Sequence, residues 1–413
     1  MCLRLSLKRP VFQGATSLKP FTGSFTQQEA LNDAAIAAAV EVLKSGRLHR
    51  YNSAPGELSK ASELEQAYAT YQGANYCLAC ASGGYAMAIA LRAAGLEPGE
   101  SVLTNAFTLA PVPGAIASAG GKPVLVEITA DLVIDLDDLE QKAKQSAARF
   151  LLLSNMRGHL VDMDRLLEIV DRHKMMLIED CAHTMGATWN GRKSGNFGLA
   201  GCFSTQTYKH MNSGEGGFLT TDDPDIAARA TIMSGSYMLF ARHGAGPDAG
   251  AFDAARYDMP NCSARMDALR AAILRPQLAR LDQSIACWNA RYSLVERALQ
   301  AHDRIATIAL PQQEEHAGSS IQFRLPGFSA DQCRAVIAAA ARRGVELKWF
   351  GAAEPVGFTS AHQSWRYVPA QDLPQTDRIL ATLFDMRLPL SFSEDDCALI
   401  ADLIGEAVTE VAQ

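Results

Sequence analysis

The chain has 413 residues and a formal net charge of −7, with 48% hydrophobic and 20% charged residues. That balance fits a globular protein with more than one core, and Lys and Arg scattered in nothing longer than a pair speak against nucleic acid or an anionic membrane as partner. No apolar stretch approaches the ~20 residues that span a bilayer. Arg4, Lys8 and Arg9 interrupt the apolar positions of the opening segment, so it does not read as a signal peptide. Nine cysteines at irregular spacing read as reduced thiols of a cytoplasmic protein. Cys77-Leu-Ala-Cys80 is a lone CxxC with no second pair to complete a tetrahedron, so no metal site is expected and buried apolar cysteine is the better reading.

From Asn75 onward, short apolar runs alternate with helical patterns. A strand over Asn75–Ala81 leads through a Ser-Gly-Gly turn to a helix over Tyr85–Ala94. Ser101–Asn105 reads as strand, an Ala-rich helix follows Pro113, and Pro123–Ile128 is strand again. Helices over Leu136–Lys144 and Met163–His173 alternate with strands over Phe150–Ser154 and Met175–Asp180, and Gly216–Thr221 adds another strand. Fully apolar strands separated by helices predict an α/β fold with a mainly parallel sheet covered on both faces. Beyond Pro260 a long helix is expected over Ser263–Leu281, kinked at Pro276, with further helix over Trp288–Leu299. Strand Ser320–Arg324, helix Ala330–Arg343, strand Val345–Trp349 and a terminal helix from Glu394 form a second lobe. The chain thus divides into an N-terminal arm over 1–24, a large domain over 25–275 and a smaller C-terminal α/β domain over 276–413.

The most informative stretch runs from Ile178 to Asp222. It opens with an apolar run ending in Glu179-Asp180, passes Gly201-Cys202-Phe203 and Ser204, and reaches Lys209 ahead of Gly214-Glu215-Gly216-Gly217. A carboxylate at a buried strand end and a lysine further along are what a pyridoxal phosphate site needs: the amine forms the Schiff base, and the carboxylate pairs with the pyridine nitrogen. The competing assignments are a solvated lysine near a strand end and a helix N-cap at Asp180. Gly83 and Gly84, between a strand and a helix, can turn backbone N–H groups toward a phosphate.

These residues, with Ala81-Ser82-Gly83-Gly84 and Leu96-Glu97-Pro98-Gly99-Glu100-Ser101-Val102, resemble the DegT/StrS-type sugar aminotransferases, a branch of the fold type I pyridoxal phosphate enzymes. The resemblance covers most of the chain from Phe21 onward. It implies a large seven-stranded domain and a small C-terminal one. It also places Asp180 on the pyridine-nitrogen partner, His183 on the Gln/His beside the cofactor, Ser204 on a phosphate-binding serine and Lys209 on the Schiff-base lysine. Asn261 falls on an asparagine that reaches the phosphate from the neighbouring subunit, although the spacing to Arg265-Met266 is two residues longer than usual. Two further departures stand out. Gly84 replaces the usual threonine, and Leu109 replaces the ring-stacking aromatic, with Phe107 two residues away as a substitute if the loop shifts.

For the substrate, Arg157 in Ser154-Asn155-Met156-Arg157-Gly158-His159 offers a planar fork for a carboxylate or phosphate, a surface salt bridge being the alternative. His159 belongs to the same segment. Arg47, His49, Arg50 and Tyr51 form a polar cluster near the expected mouth, and Lys348 with Trp349 is expected to close it from the small domain. The resemblance implies amino transfer from glutamate or glutamine to the ketone or aldehyde of a sugar or polyol-like acceptor, in a homodimer with shared sites. A dehydratase or lyase of the same fold and a non-catalytic regulator are the alternatives. Lys209 is retained where the branch's dehydratases typically carry histidine, which favours transamination.

Overall fold

The computed structural model describes residues 18–54 and 56–413. The large lobe contains strands β1 (Tyr76–Cys80), β2 (Ser101–Asn105), β3 (Lys122–Val126), β4 (Phe150–Ser154), β5 (Met176–Asp180), the short pair β6 (Thr188–Trp189) and β7 (Arg192–Lys193), β8 (Ala200–Ser204) and β9 (Gly217–Thr221). Seven of them form one sheet in the order β1-β9-β8-β5-β4-β2-β3, in which only β9 runs against the rest. A mainly parallel seven-stranded sheet in the large lobe is the architecture expected.

Each central strand is buried on both faces, which its apolar composition requires. On one face Val102, Leu152, Ile178 and Cys202 pack against the helices Gly83–Ala93 and Pro111–Ser118. On the other, Leu103, Leu151, Leu153 and Leu177 meet Leu136, Leu139, Leu166 and Ile169 from helices Leu136–Ser146 and Met163–His173. Each leucine buried here contributes roughly 1.5–3 kcal/mol, so truncating Leu152 to alanine would cost about 2–5 kcal/mol. Cys77 and Cys80 fall into different cores, Cys77 beside Tyr68 and Phe218 and Cys80 beside Ala86 and Leu219. That is the buried apolar role expected of them.

One helix boundary differs from expectation. Residues 263–267 are not helical; the Ala81 N–H donates to Ala264 O (2.7 Å) and the Met266 N–H to Ala79 O (3.2 Å), so the segment lies along the open edge of β1. Satisfying an exposed strand edge outweighs helix propensity there. The helix begins at Ala268, capped by Asp267, and carries Pro276 inside its last turn before ending at Leu278; the next runs unbroken over Leu281–Gln300.

The second lobe is an antiparallel sheet in the order β10-β12-β14-β13, built from β10 (Ala306–Thr307), β12 (Ser320–Arg324), β13 (Lys348–Trp349) and β14 (Leu383–Arg387). Between them, β11 (Glu314–Glu315) pairs with β6 and so ties the lobes together. Helices Leu281–Gln300, Ala330–Arg342 and Glu394–Ala412 cover the sheet, the last two started by capping boxes at Ser329 and Ser393. The arm expected over 1–24 lies mostly outside the described residues. Phe21 and Phe25 both pack edge-on against Phe392 at 5.0 Å, in the core of this second lobe. Phe25 therefore belongs with the small lobe's core, not the large one. No helix among the described residues is long and apolar enough to cross a membrane.

Candidate active site

The parallel strands deliver their C-terminal ends to one edge of the sheet, where α/β proteins characteristically bind ligands. A cavity of about 490 Å³ opens there between the lobes. Its floor is Asp180, the last residue of β5, which is 7% exposed. Register sets Ser154 of β4 directly beside it. The Ser154 hydroxyl donates to Asp180 Oδ2 at 3.0 Å, the Ala182 N–H donates to Oδ1 at 3.1 Å, and Thr108 lies 2.7 Å behind Ser154. Burial pushes the Asp180 carboxyl up, against the pull of the Ala182 N–H, Lys209 and Ser154. Two neutral donors do not balance a buried carboxylate; a cationic partner would.

Lys209 projects from the loop joining β8 to β9, closed at its base by the Thr205 N–H on Gly216 O (2.9 Å). Its Nζ lies 3.0 Å from His183 Nε2. Burial lowers the lysine to about 7, with Arg157 and Arg387 pushing the same way and Asp180 opposing. Burial, then Lys209, drives His183 well below its usual value, so the neutral ring can accept a hydrogen bond from the amine. His210, next along the chain, points elsewhere, with Nε2 3.1 Å from Ala317 O.

The third component is a backbone cradle. Ser82 caps the helix Gly83–Ala93 by accepting from the Tyr85 N–H, and Ser204 lies beside its first turn. A Cβ on Gly83 would sit 3.0 Å from Ser204 Cβ, and one on Gly217 would sit 2.6 Å from the Gly83 nitrogen. Glycine is required at Gly217 for strand and helix to approach, and at Gly83 a side chain would fit only if the strand gave way by a few tenths of an ångström. The last glycine of Gly214-Glu215-Gly216-Gly217 thus serves the cradle as well as the turn. At Gly84 a Cβ would find its nearest neighbours 3.8 and 3.9 Å away, ordinary contact with room for a side chain.

The remaining sequence candidates divide. Leu109 lines the cavity and is half-buried against the cluster of Phe107, Met156 and Phe350. Phe107 cannot replace the stacking aromatic: it is 1% exposed and packs edge-on to Phe350 at 5.1 Å. Arg157 lines the cavity with φ at 60°, its Nη2 3.1 Å from Asp385 Oδ2. It is a buried ion pair, not a surface one. Lys348 backs that pair, donating to the same oxygen at 3.0 Å, and does not line the cavity. His159 is turned away, its Nε2 2.8 Å from Gln322 Oε1 and its ring stacked near His316. Tyr51 is also absent from the cavity: it is buried with its hydroxyl 3.1 Å from His243, beside an Arg50 that is held bidentately by Glu65 at 2.6 and 2.7 Å. A buried guanidinium must find its carboxylate, and that pairing draws Tyr51 inward. Asn261 is exposed, with Oδ1 accepting from the Ser263 N–H at 2.9 Å, and lies outside the cavity.

Sequence reasoning missed Ser154 and Arg387. Ser154 was findable, because parallel register puts the end of β4 beside Asp180. Arg387 carries no such signal. It ends β14 in the other lobe, with its guanidinium 3.5 Å above the Tyr208 ring and 5.0 Å from that of Phe358.

Known proteins resemble this chain along much of its length. It is 33% identical over 227 residues to GDP-perosamine synthase of Caulobacter vibrioides, covering 54% of this chain and 57% of that one. It is 30% identical over 288 residues to L-glutamine:scyllo-inosose aminotransferase of Streptomyces griseus, covering 70% and 66%. The matched segment therefore spans about three fifths to two thirds of these relatives. The solved structure of 3-amino-5-hydroxybenzoic acid synthase superposes with a TM-score of 0.79 over 93% of this chain and 99% of that chain, at 24% identity. Pyridoxal phosphate is the cofactor this kinship implies, and the residues present fit it. The under-compensated Asp180 suits a protonated ring nitrogen, the Gly83–Ser204–Gly217 cradle suits a phosphate, and the Lys209 amine is poised to be neutral. With its sequence profile matched over residues 29–404, the chain belongs to the DegT/DnrJ/EryC1/StrS aminotransferase family.

Proposed function

We propose that this chain is a pyridoxal phosphate-dependent aminotransferase, moving an amino group from an amino acid to the ketone or aldehyde of a sugar or polyol-like acceptor. The observation that carries the reading is Lys209 Nζ, depressed to about 7 and 3.0 Å from a neutral His183, in one cavity with Asp180 and the glycine cradle. The bound cofactor supplies a carbonyl that takes up amines and a ring that stores the electron pair freed when a Cα–H bond breaks. Asp180 would hold a protonated ring nitrogen. Ser204 and the first N–H groups of the helix Gly83–Ala93 hold the phosphate. Lys209 would hold the cofactor through its amine and, when that amine is free and neutral, would act as the base that carries the substrate's proton. His183 accepts a hydrogen bond from that amine and so fixes its direction. Leu109, in the cavity lining, would cover the ring by dispersion.

Retention of the proton-shuttling lysine together with Asp180 and Ser204 favours transamination over dehydration and over a purely regulatory role. Glutamate or glutamine is the donor this reading prefers, the name of the Streptomyces relative supplying the precedent for glutamine. Purified protein should show a visible cofactor band that shifts toward the pyridoxamine form on adding glutamate. An unchanged spectrum with glutamate, glutamine and alanine alike would exclude transamination.

The active unit we infer is a homodimer with shared sites. Ile36, Val40 and Leu43 are 49%, 40% and 57% exposed along one stripe of the helix Asp33–Ser45, and Tyr237 and Met238 add exposed apolar area. A second copy is the economical cover for such a patch, and Asn261, idle within its own protomer, is then available to the partner's phosphate. Mixed Lys209→Ala and Asn261→Ala proteins should regain part of the activity; no regain despite proven subunit exchange would return Asn261 to a turn role. The free thiols Cys77, Cys80, Cys181 and Cys202, buried in apolar surroundings, suit a reducing, cytoplasmic setting.

A further inference from the structure

The cavity wall formed by β14 and the turn after β4 is unlike the rest of the site. Arg157 and Arg387 line it, and behind them stand Lys348 of β13 and one carboxylate, Asp385, which accepts from Arg157 at 3.1 Å and Lys348 at 3.0 Å on the same oxygen and from Gln322 at 2.8 Å on the other. Although burial pushes its carboxyl up, Arg157 and Lys348 hold Asp385 at about 2. Asp385 is thus fully engaged, and the wall keeps two positive charges in excess (three cations less one anion). Glu215, the only other acid besides Asp180 lining the cavity among the described residues, is exposed.

Arg387 presents an open donor edge, and Arg157 has one unpartnered N–H. Arg157 is 6% exposed, yet its Nε is buried with no acceptor among the described residues; Nη2 is engaged by Asp385 and by Phe358 O at 3.4 Å. It also stands in the left-handed region at φ 60°, a conformation that is strained for a residue with a Cβ. Arg387 makes no ion pair or side-chain hydrogen bond among the described residues, and the rings of Tyr208 and Phe358 hold its plane. A fork fixed by aromatic rings with its N–H edge free is pre-organised for a planar, two-oxygen anion. Around the pair the lining is apolar, from Leu109, Met156, Phe358 and Leu388.

Transamination brings donor and acceptor in turn to the same Lys209, so both must be tolerated by this wall. A neutral polyol would leave Arg387 without a counter-anion in half of every cycle. We infer that Arg387 and Arg157 form a carboxylate subsite, and that the amino acceptor is a ring ketone bearing a carboxylate. This rests on the transaminase reading and narrows it. Planar Arg forks without a glycine-rich backbone nest favour carboxylate over phosphate on this wall.

The test uses the holoenzyme in two arms. In the first, calorimetry compares cyclohexanecarboxylate with cyclohexylmethanol, two unreactive ligands of one shape. The carboxylate should bind at least about tenfold more tightly, and in Arg157→Gln and Arg387→Gln that preference should fall to about twofold or less. In the second, enzyme pre-loaded with amino group by glutamate is mixed with 3-oxocyclohexanecarboxylate or cyclohexanone, and recovery of the visible band is timed. The acid should react at least about tenfold faster in the unaltered enzyme. Equal binding and equal rates for acid and neutral partner in the unaltered enzyme would overturn the subsite, as would a preference that survives in both variants. A carboxylate preference in the first arm with no acid advantage in the second would overturn the carboxylated acceptor. If glutamate fails to load the enzyme, the transaminase reading fails while the first arm still judges the subsite.

Discussion

The two walls of the cavity are made in opposite ways. On the cofactor side, positions follow from backbone: Ser154 and Asp180 are adjacent by strand register, and Gly83 and Gly217 let a helix start touch a strand. On the substrate side, positions follow from side chains converging from both lobes, with Arg157 meeting Lys348 and Asp385 across the gap. The first wall is rigid because moving it would break the sheet. The second is held by side-chain pairing, so a substitution at an unpaired member such as Arg387 can change its charge while the backbone frame stays in place.

The sharpest way to break this contrast is at the junction of the second wall. Asp385→Ala leaves Arg157 and Lys348 buried without their anion, and should cost about 3–5 kcal/mol of stability, read as a fall in the denaturation midpoint. A loss below about 1 kcal/mol would show that the wall is wet and its cations solvated. On the first wall the effect should fall on chemistry. Asp180→Asn should fold normally yet slow the glutamate half-reaction by about 10²-fold or more, because a preorganised charge at the ring nitrogen is lost. Near-normal conversion would place the carboxylate partner elsewhere. The smallest effect is expected at Gly84→Thr, where a side chain meets only ordinary contacts. It should leave stability within about 1 kcal/mol and tighten cofactor retention by one hydroxyl contact; weaker retention would mean the lip of the cradle is closer-packed than its geometry indicates.

The same contrast explains what could be read from the sequence. Asp180, Ser204, Lys209 and the glycines sit at the ends of apolar runs, where a local pattern announces both the strand and its terminus. The chemistry of the first wall was therefore legible, as were the strands Phe150–Ser154 and Ser320–Arg324, found where expected. Tyr51 and His159 were misplaced because their neighbours decide their direction: Glu65 takes Arg50 inward with Tyr51 beside it, and Gln322 takes the His159 ring. No spacing rule links Gln322 to His159 or Arg387 to Lys209. Residues 263–267 read as helix because the place they fill, the edge of β1, exists only in three dimensions.

The claim on which everything rests is that Lys209 is a neutral, reactive amine near neutral pH. An ordinary lysine titrates near 10.4, whereas burial and the two arginines bring this one to about 7. Because the folded value lies below the ordinary one, the amine is free above about pH 7 and protonated, hence unreactive, below it. The direct measurement is the rate at which cofactor-free protein captures pyridoxal phosphate as a function of pH, trapped with borohydride and mapped by peptide. The account predicts the pyridoxyl mass on Lys209, with capture half-maximal near pH 7 and level above pH 8. A label on another lysine, or a rate still climbing through pH 9, would contradict it.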